Sequence, residues 1–280
     1  MFPPLGKGRV REGWCLLAVL NLLSSPLFAA PRRVVSLLPS HSEIMAALGA
    51  DGTLVGVSDA ERKGDFPGVP RVGGLVPRWE VLVSLAPDLI LADSAHARFQ
   101  SDFARFKLPV QFLPATHAKS IEDVFGLISK VGRAVGREPE AEILLARLKT
   151  QLAALDASVP PPPLPKVLFE IWPQPLQAVG PVSLQGHLLQ RAGFENIVPD
   201  TRNEMPLLSS EWVASARPDV LFHTGVSSAK KIVSRPGWKN IPAVANSRVV
   251  ELDADLFSRA GPRVVDALAE LRRIRGEVKP

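Results

Sequence analysis

Hydrophobic and polar positions fall into the same order twice along the chain. A β-branched run, "RRVVSLL" from Arg32 to Leu38, is followed by a polar loop, "PSHSE", and an apolar-periodic helix that stops at "ALGADG". Later, "KVLFEI" from Lys166 to Ile171 is followed by "WPQPLQAVGPVSLQ" and a helix, "GHLLQRAGFEN". Both helices end on a glycine suited to the C′ position, where a left-handed backbone closes the helix. Then comes the closest match. "EVLVSLAPDLIL" (Glu80 to Leu91) returns 131 positions on as "EWVASARPDVLF" (Glu211 to Phe222), and each reads as helix, Pro-Asp turn and apolar strand. Helical stretches near "ARFQSDFARF" and "SAKKIVSRPGWKN" lead to the strands "LPVQFLP" and "RVVELD". Strands alternating with helices predict parallel βαβ units, and a period this long means a duplicated lobe rather than a solenoid.

Between the halves, Ala141, Leu145, Leu148, Leu152 and Leu155 recur at spacings of 4, 3, 4 and 3, one face of a continuous helix. Glu140 and Glu142 sit near its positive end. It must stop before "PPPPLP" (Pro160 to Pro165), because proline removes the donor a helix needs. The expected fold is α/β: two Rossmann-like lobes with parallel-type sheets, joined by one helix about 30 Å long. The expected division is 1–30 leader, 31–137 first lobe, 138–158 interlobe helix and 159–280 second lobe. So stiff a connection predicts lobe closure of a few ångströms rather than a wide hinge.

Composition refines this picture. With 46% apolar and 22% charged residues over 280 positions, the chain can bury one large core or two smaller ones. Lys7, Arg9 and Arg11 precede the run "WCLLAVLNLL" and then "SSPLFAA", the three parts of a cleaved secretory signal and too short to span a bilayer. The expected product is therefore an exported, soluble protein. Losing Lys7, Arg9, Arg11 and Glu12 lowers the net charge from +5 to +3, a solvated surface and not a nucleic-acid footprint. The only cysteine, Cys15, lies ahead of most of the apolar run, where it would not carry a lipid anchor, so disulfides and thiolate chemistry are excluded from the mature chain.

In open α/β sheets ligands bind beyond the carboxyl ends of the strands. Here those loops hold Ser40 and His41, Ser58 and Asp59, Gly74 and Leu75, Asp93, Trp172, Met205, His223, and the run from Asp255 through Leu256, Phe257 and Arg259. Trp172 and Phe257 are candidate platforms for a flat ligand, or else edge-of-core packing. Arg259 and Arg263 can meet an anionic group, although Arg263 equally suits a solvated helix face. His41, His96 and His223 follow predicted strands, but three histidines in separate loops form no metal signature. No nucleophile elbow, zinc-protease helix or phosphate loop is present, which argues against an enzyme. A binding protein for simple metal ions would need a converging set of His, Asp and Glu.

The segments Ala30–Ser58, "RVGGLVPRWEVLVSLAPDLILA" (Arg71 to Ala92), "GFENIV" and "LFSRAGPRVVDAL" together resemble, in order and along the whole mature chain, the helical-backbone class of substrate-binding proteins for ABC importers. They are most similar to its cobalamin-binding members. The resemblance implies a monomer that carries a metal chelate, cobalamin or another corrinoid, to a permease dimer in the inner membrane, with ferric siderophores and haem as alternatives. It implies no catalytic residue and no resident cofactor or metal. It also gives Glu80 and Glu211 a role as paired carboxylates that dock into arginine pockets of the permease; without it they read as helix-start carboxylates, with Ser209 and Ser210 as capping candidates. The chain departs from the pattern where cobalamin binders place aromatic rings, offering Leu75, Asp93, Met205 and Leu256. With no tyrosine, iron ligation through a phenolate is unavailable.

Overall fold

The computed structural model describes residues 30–158, 160–199 and 202–278. Apart from Ala30, the expected leader lies outside the described residues. The first lobe runs β1 (Val34–Ser36), α1 (Pro39–Ala47), β2 (Leu54–Val57), α2 (Trp79–Leu85), β3 (Leu89–Ala92), α3 (Gln100–Arg105), β4 (Val110–Phe112) and α4 (Ile121–Ala134). Its sheet has the order β2-β1-β3-β4 and every pairing is parallel. α5 (Glu138–Asp156) leads to the second lobe. That lobe runs β5 (Lys166–Pro173), β6 (Leu176–Ala178), α6 (Leu184–Ala192), β7 (Glu195–Asn196), α7 (Ser210–Ala216), β8 (Val220–His223), α8 (Ala229–Val233), α9 (Pro242–Ala245), β9 (Val249–Glu251), α10 (Ala254–Ser258) and α11 (Val264–Glu277). Among the described residues no helix is long and apolar enough to cross a membrane.

The fold class matches the expectation: α/β, two lobes and one long connecting helix. The second sheet, β6-β5-β8-β9 with β7 also on β5, departs in one strand. β6 pairs antiparallel with β5 in a segment the sequence suggests is a loop. Only Gln174 and Pro175 separate the two strands, and so short a link permits only a hairpin. The glycine stops are as expected, with Gly49 at φ 66° and Gly193 at φ 86°.

Strand alternation divides each sheet's side chains between two layers. Val34 and Leu91 face one cluster and Val35 and Ile90 another; Val167 and Phe222 face one and Leu168 and Leu221 another. On the inner side, α4, α5, α6 and α11 pack on one another. Here a single cluster runs from Val34 through Leu127, Leu145 and Leu148 to Leu188, Phe222 and Leu271. The lobes therefore share a core, which adds to the stiffness of α5. Arg191 on α6 reinforces the seam, reaching Glu122 at 2.8 Å and Asp156 at 2.6 Å.

Candidate functional site

Between the lobes lies a cleft of about 350 Å³. The first lobe contributes Leu38, Pro39 and Ser40 at the end of β1, with Ala60, Ala115, Thr116 and Ala118; the second contributes Leu184, Gln185, Glu204, Met205, Asp255, Ser258, Arg259 and Ala260. Of the residues expected at a site, the structure gathers Ser40, Met205, Asp255 and Arg259 here. Arg259 is the central charge. Its side chain is only 10% exposed, and Nη1 lies 3.6 Å from both Glu43 and Glu61. Nη2 stands 2.9 Å from Asp255, yet the alignment makes no hydrogen bond, and among the described residues this buried nitrogen has none.

Arg259 belongs to an ionic network along one flank of the cleft. Arg62 of the first lobe meets Asp253 at 3.0 Å and also Asp255, and Arg263 makes two bonds of 2.8 and 3.1 Å to Glu43. Glu61 is buried, accepts a hydrogen bond from Ser42 and leaves its second oxygen without one. Burial pushes its pKa up, against the hydrogen bond from Ser42 and the attraction of Arg259. Beyond the network a groove of about 430 Å³ runs past Arg62, Phe66 and Arg263; although larger, it lies outside the strand ends and is lined by paired charges. Across the cleft from this network the lobes meet through Lys119 and Glu204, 3.2 Å apart and both half-exposed, worth at most about 1 kcal/mol.

The other expected residues lie elsewhere, and each has a physical reason. Phe257 is not a platform: its ring packs edge-on against Phe169 at 6.2 Å, because short α10 turns Asp255, Ser258 and Arg259 to the cleft and Phe257 to the core. Leu256 is half-buried against the same core. Trp172 is 48% exposed at the β5–β6 hairpin, its indole N–H donating to the Gln174 carbonyl, and it does not line the cleft. Among the described residues no aromatic ring does.

His41 and Asp93 lie fully buried in the first lobe rather than on the cleft wall. His41 shares a 2.8 Å hydrogen bond with the Leu113 carbonyl, and burial lowers its pKa to about 4. Burial opposes the charge of Asp93, but hydrogen bonds from Thr116, Ala95 and Ser94 outweigh it and hold the pKa below the usual range. Asp93 thus positions Thr116, which does line the cleft. His96 bonds the Gly74 carbonyl at 3.1 Å and orders that rim segment. Ser58 accepts from Ala60 N, and Asp59 pairs with Arg78 at 2.6 Å. Leu75 is 61% exposed outside the cleft. His223 is buried on the outer face of the second sheet, its pKa lowered by burial. Among the described residues no three of His, Cys, Asp and Glu converge to hold a metal ion.

Glu80 and Glu211 occupy the first turns of α2 and α7, both exposed. Neither makes an ion pair among the described residues. Thr116, Gln185, Glu43 and Glu61 were not legible as site residues. The polar residues of "PATHAKS" after β4 were the one available signal, since that loop also follows a parallel strand.

Two duplicated α/β lobes, a shared core behind and a ligand-sized cleft at the strand ends define a two-lobed solute-binding protein. The chain belongs to the periplasmic binding protein family, whose profile matches residues 34–256. Members of this family that serve ABC importers work with a membrane permease. The chain is 29% identical over 249 residues to the ABC transporter substrate-binding lipoprotein YvrC of Bacillus subtilis, covering 86% of this chain and 79% of that one. It is 27% identical over 271 residues to the vitamin B12-binding protein of Pectobacterium atrosepticum, covering 92% and 93%. Among solved structures, the periplasmic heme-binding protein RhuT from Roseiflexus sp. RS-1 superposes with a TM-score of 0.77 at 26% identity, covering 88% of this chain and 98% of that one.

Proposed function

We propose that this protein is exported to the periplasm, captures a corrinoid such as cobalamin between its lobes and delivers it to an ABC import permease, without catalysing a reaction. The observation that carries the ligand is the likeness to a vitamin B12-binding protein along nearly the whole of both chains. The cleft chemistry agrees with it. Leu38, Leu184, Met205 and Ala260 offer apolar walls to a ring, while Arg259, Gln185, Ser40 and Thr116 offer polar groups to amide or phosphate substituents at its edge. Release then falls to the permease, gripping one lobe through Glu80 and the other through Glu211.

A smaller chelate, haem or a ferric complex, is the second reading, and the cleft volume favours it. At about 350 Å³ the cleft lies near the lower end of ligand sites. A whole corrinoid exceeds that several-fold and requires the lobes to part, starting at the weak Lys119–Glu204 pair. A thermal-shift panel of cyanocobalamin, cobinamide, haem and ferric siderophores separates these readings. A corrinoid binding at micromolar Kd, about −8 kcal/mol, raises Tm in proportion to the logarithm of its concentration. A shift with haem alone selects the second reading, and none with any compound overturns both.

A further inference from the structure

We infer that each docking carboxylate belongs to a composite patch whose second part is apolar, Val76 four residues before Glu80 and Leu207 four before Glu211, and that the two patches fit a permease dimer carrying an apolar depression next to a basic pocket on each subunit. This rests on the reading that Glu80 and Glu211 face the permease. Val76 and Leu207 stand 131 positions apart, as the glutamates do, and each precedes its glutamate by four residues. They are 61% and 60% exposed, a closely matched pair of large apolar side chains in water. Both sit on fixed backbone. Gly73 bridges Pro77 and Arg78 N donates to Val72 O at 2.8 Å; Leu207 bridges Gln177 and Leu208 N donates to Leu176 O at 2.9 Å.

Neither residue lines the cleft, so ligand contact does not account for them. The duplication preserves other surface detail here. Ser84 and Ser215 each donate to the carbonyl three residues back, at 2.8 Å in both helices. By contrast, other paired positions here have drifted, as Trp79 against Ser210 and Ala86 against Arg217. A surface matched across two lobes suits a partner with two matched subunits. The division of labour is physical: unpaired carboxylates choose orientation and partner, and apolar side chains that shed water on contact supply affinity.

Cys15 is the only cysteine, so in a Cys15→Ser background Val76→Cys, Leu207→Cys and Ile143→Cys each carry one thiol for a photo-crosslinker. Ile143, on α5, is 72% exposed and serves as the control. With inner-membrane vesicles of the cells that make the protein, positions 76 and 207 should give adducts whose peptides belong to an ABC permease subunit, and position 143 none. Val76→Asp with Leu207→Asp should weaken vesicle binding at least about tenfold with Tm and chelate affinity unchanged. Adducts between copies of this chain, unchanged vesicle binding, or lost chelate affinity would each overturn the inference. If Glu80→Ala with Glu211→Ala leaves vesicle binding intact, the underlying docking reading fails; if that pair abolishes binding and the aspartate pair does not, only the apolar part fails.

Discussion

The two copies of the helix-turn-strand corner keep four residues in common, and they divide by what each touches. The Pro-Asp pair is structural in both. Asp88 accepts hydrogen bonds from the backbone N–H of Arg32 and Arg33 at 2.9 and 3.0 Å, and Asp219 accepts one from Lys166 at 2.8 Å, so each aspartate ties its corner to the start of its sheet's first strand. The serine bonds only its own helix. The glutamate makes no ion pair among the described residues. Elsewhere the corners differ in where they are fastened. α7 is capped at its start by Ser209, which accepts from Trp212 N, whereas α2 has no side-chain cap and is held at its end by Arg33, donating to the Leu85 and Ala86 carbonyls. Two different fastenings present the same carboxylate, which is what a two-fold partner requires of otherwise diverging lobes.

The largest test of that comparison is functional. Glu80→Ala or Glu211→Ala should each lower chelate delivery about tenfold, and the double variant about a hundredfold, by loss of one and then two charge-assisted contacts. Uptake into reconstituted or living cells measures it, with Tm and chelate affinity unchanged. A strongly unequal pair of single effects would show that the permease reads one lobe.

Next in size is a contrast between two buried histidines. The unfolded chain takes up a proton at His41 near pH 6.5 that the folded chain refuses until about pH 4. Stability from this group is therefore complete above pH 6.5 and is lost as pH falls through 4, a difference of about 3 kcal/mol. Urea unfolding between pH 7 and 4 should fall less steeply for His41→Gln than for the wild type. His223→Gln should flatten it less, because Glu251 and Glu170 oppose the effect of burial there.

The aspartates come third. Asp88→Ala leaves two backbone donors without their acceptor and should cost about 2 kcal/mol, against about 1 kcal/mol for Asp219→Ala, which leaves one. Equal losses in denaturant titrations would mean that the extra bond contributes nothing.

Much of the fold was legible because local rules govern it: β-branched and apolar runs for the strands, a helical stripe for α5, glycine for the stops of α1 and α6. The site was less legible because sidedness at the end of a short helix is a tertiary outcome. Phe257 in the core and Ser258 in the cleft are adjacent in the chain, and no period distinguishes them. Trp172 sits where a loop was expected, but the β6 hairpin carries it away from the cleft. Glu43 closes the run "PSHSE", which reads as a polar loop; the structure makes that run the start of α1, where Arg263 meets Glu43 from 220 positions away. His41 and Asp93 follow strands as ligand residues would, and the structure buries them under the wall that a ligand would touch.

The smallest effect tests whether both corners carry the same strain. The residue ahead of the conserved proline closes each helix in the left-handed region, Ala86 at φ 42° and Arg217 at φ 50°. A side chain is disfavoured there, and more so before proline, which itself crowds the preceding backbone. Each N–H repays this locally, Ala86 to Val83 O and Arg217 to Val213 O. Glycine removes the crowding of Cβ but gives the unfolded chain more freedom to lose, so the two terms partly cancel. Ala86→Gly should therefore stabilise by about 0.5 kcal/mol, seen as a small rise in the denaturation midpoint at constant slope. Arg217→Gly should match it, since among the described residues the Arg217 side chain makes no hydrogen bond to give up. If Arg217→Gly gains while Ala86→Gly loses, the Arg33 bonds to the end of α2 already relieve the first corner, and the lobes differ in strain as well as in fastening.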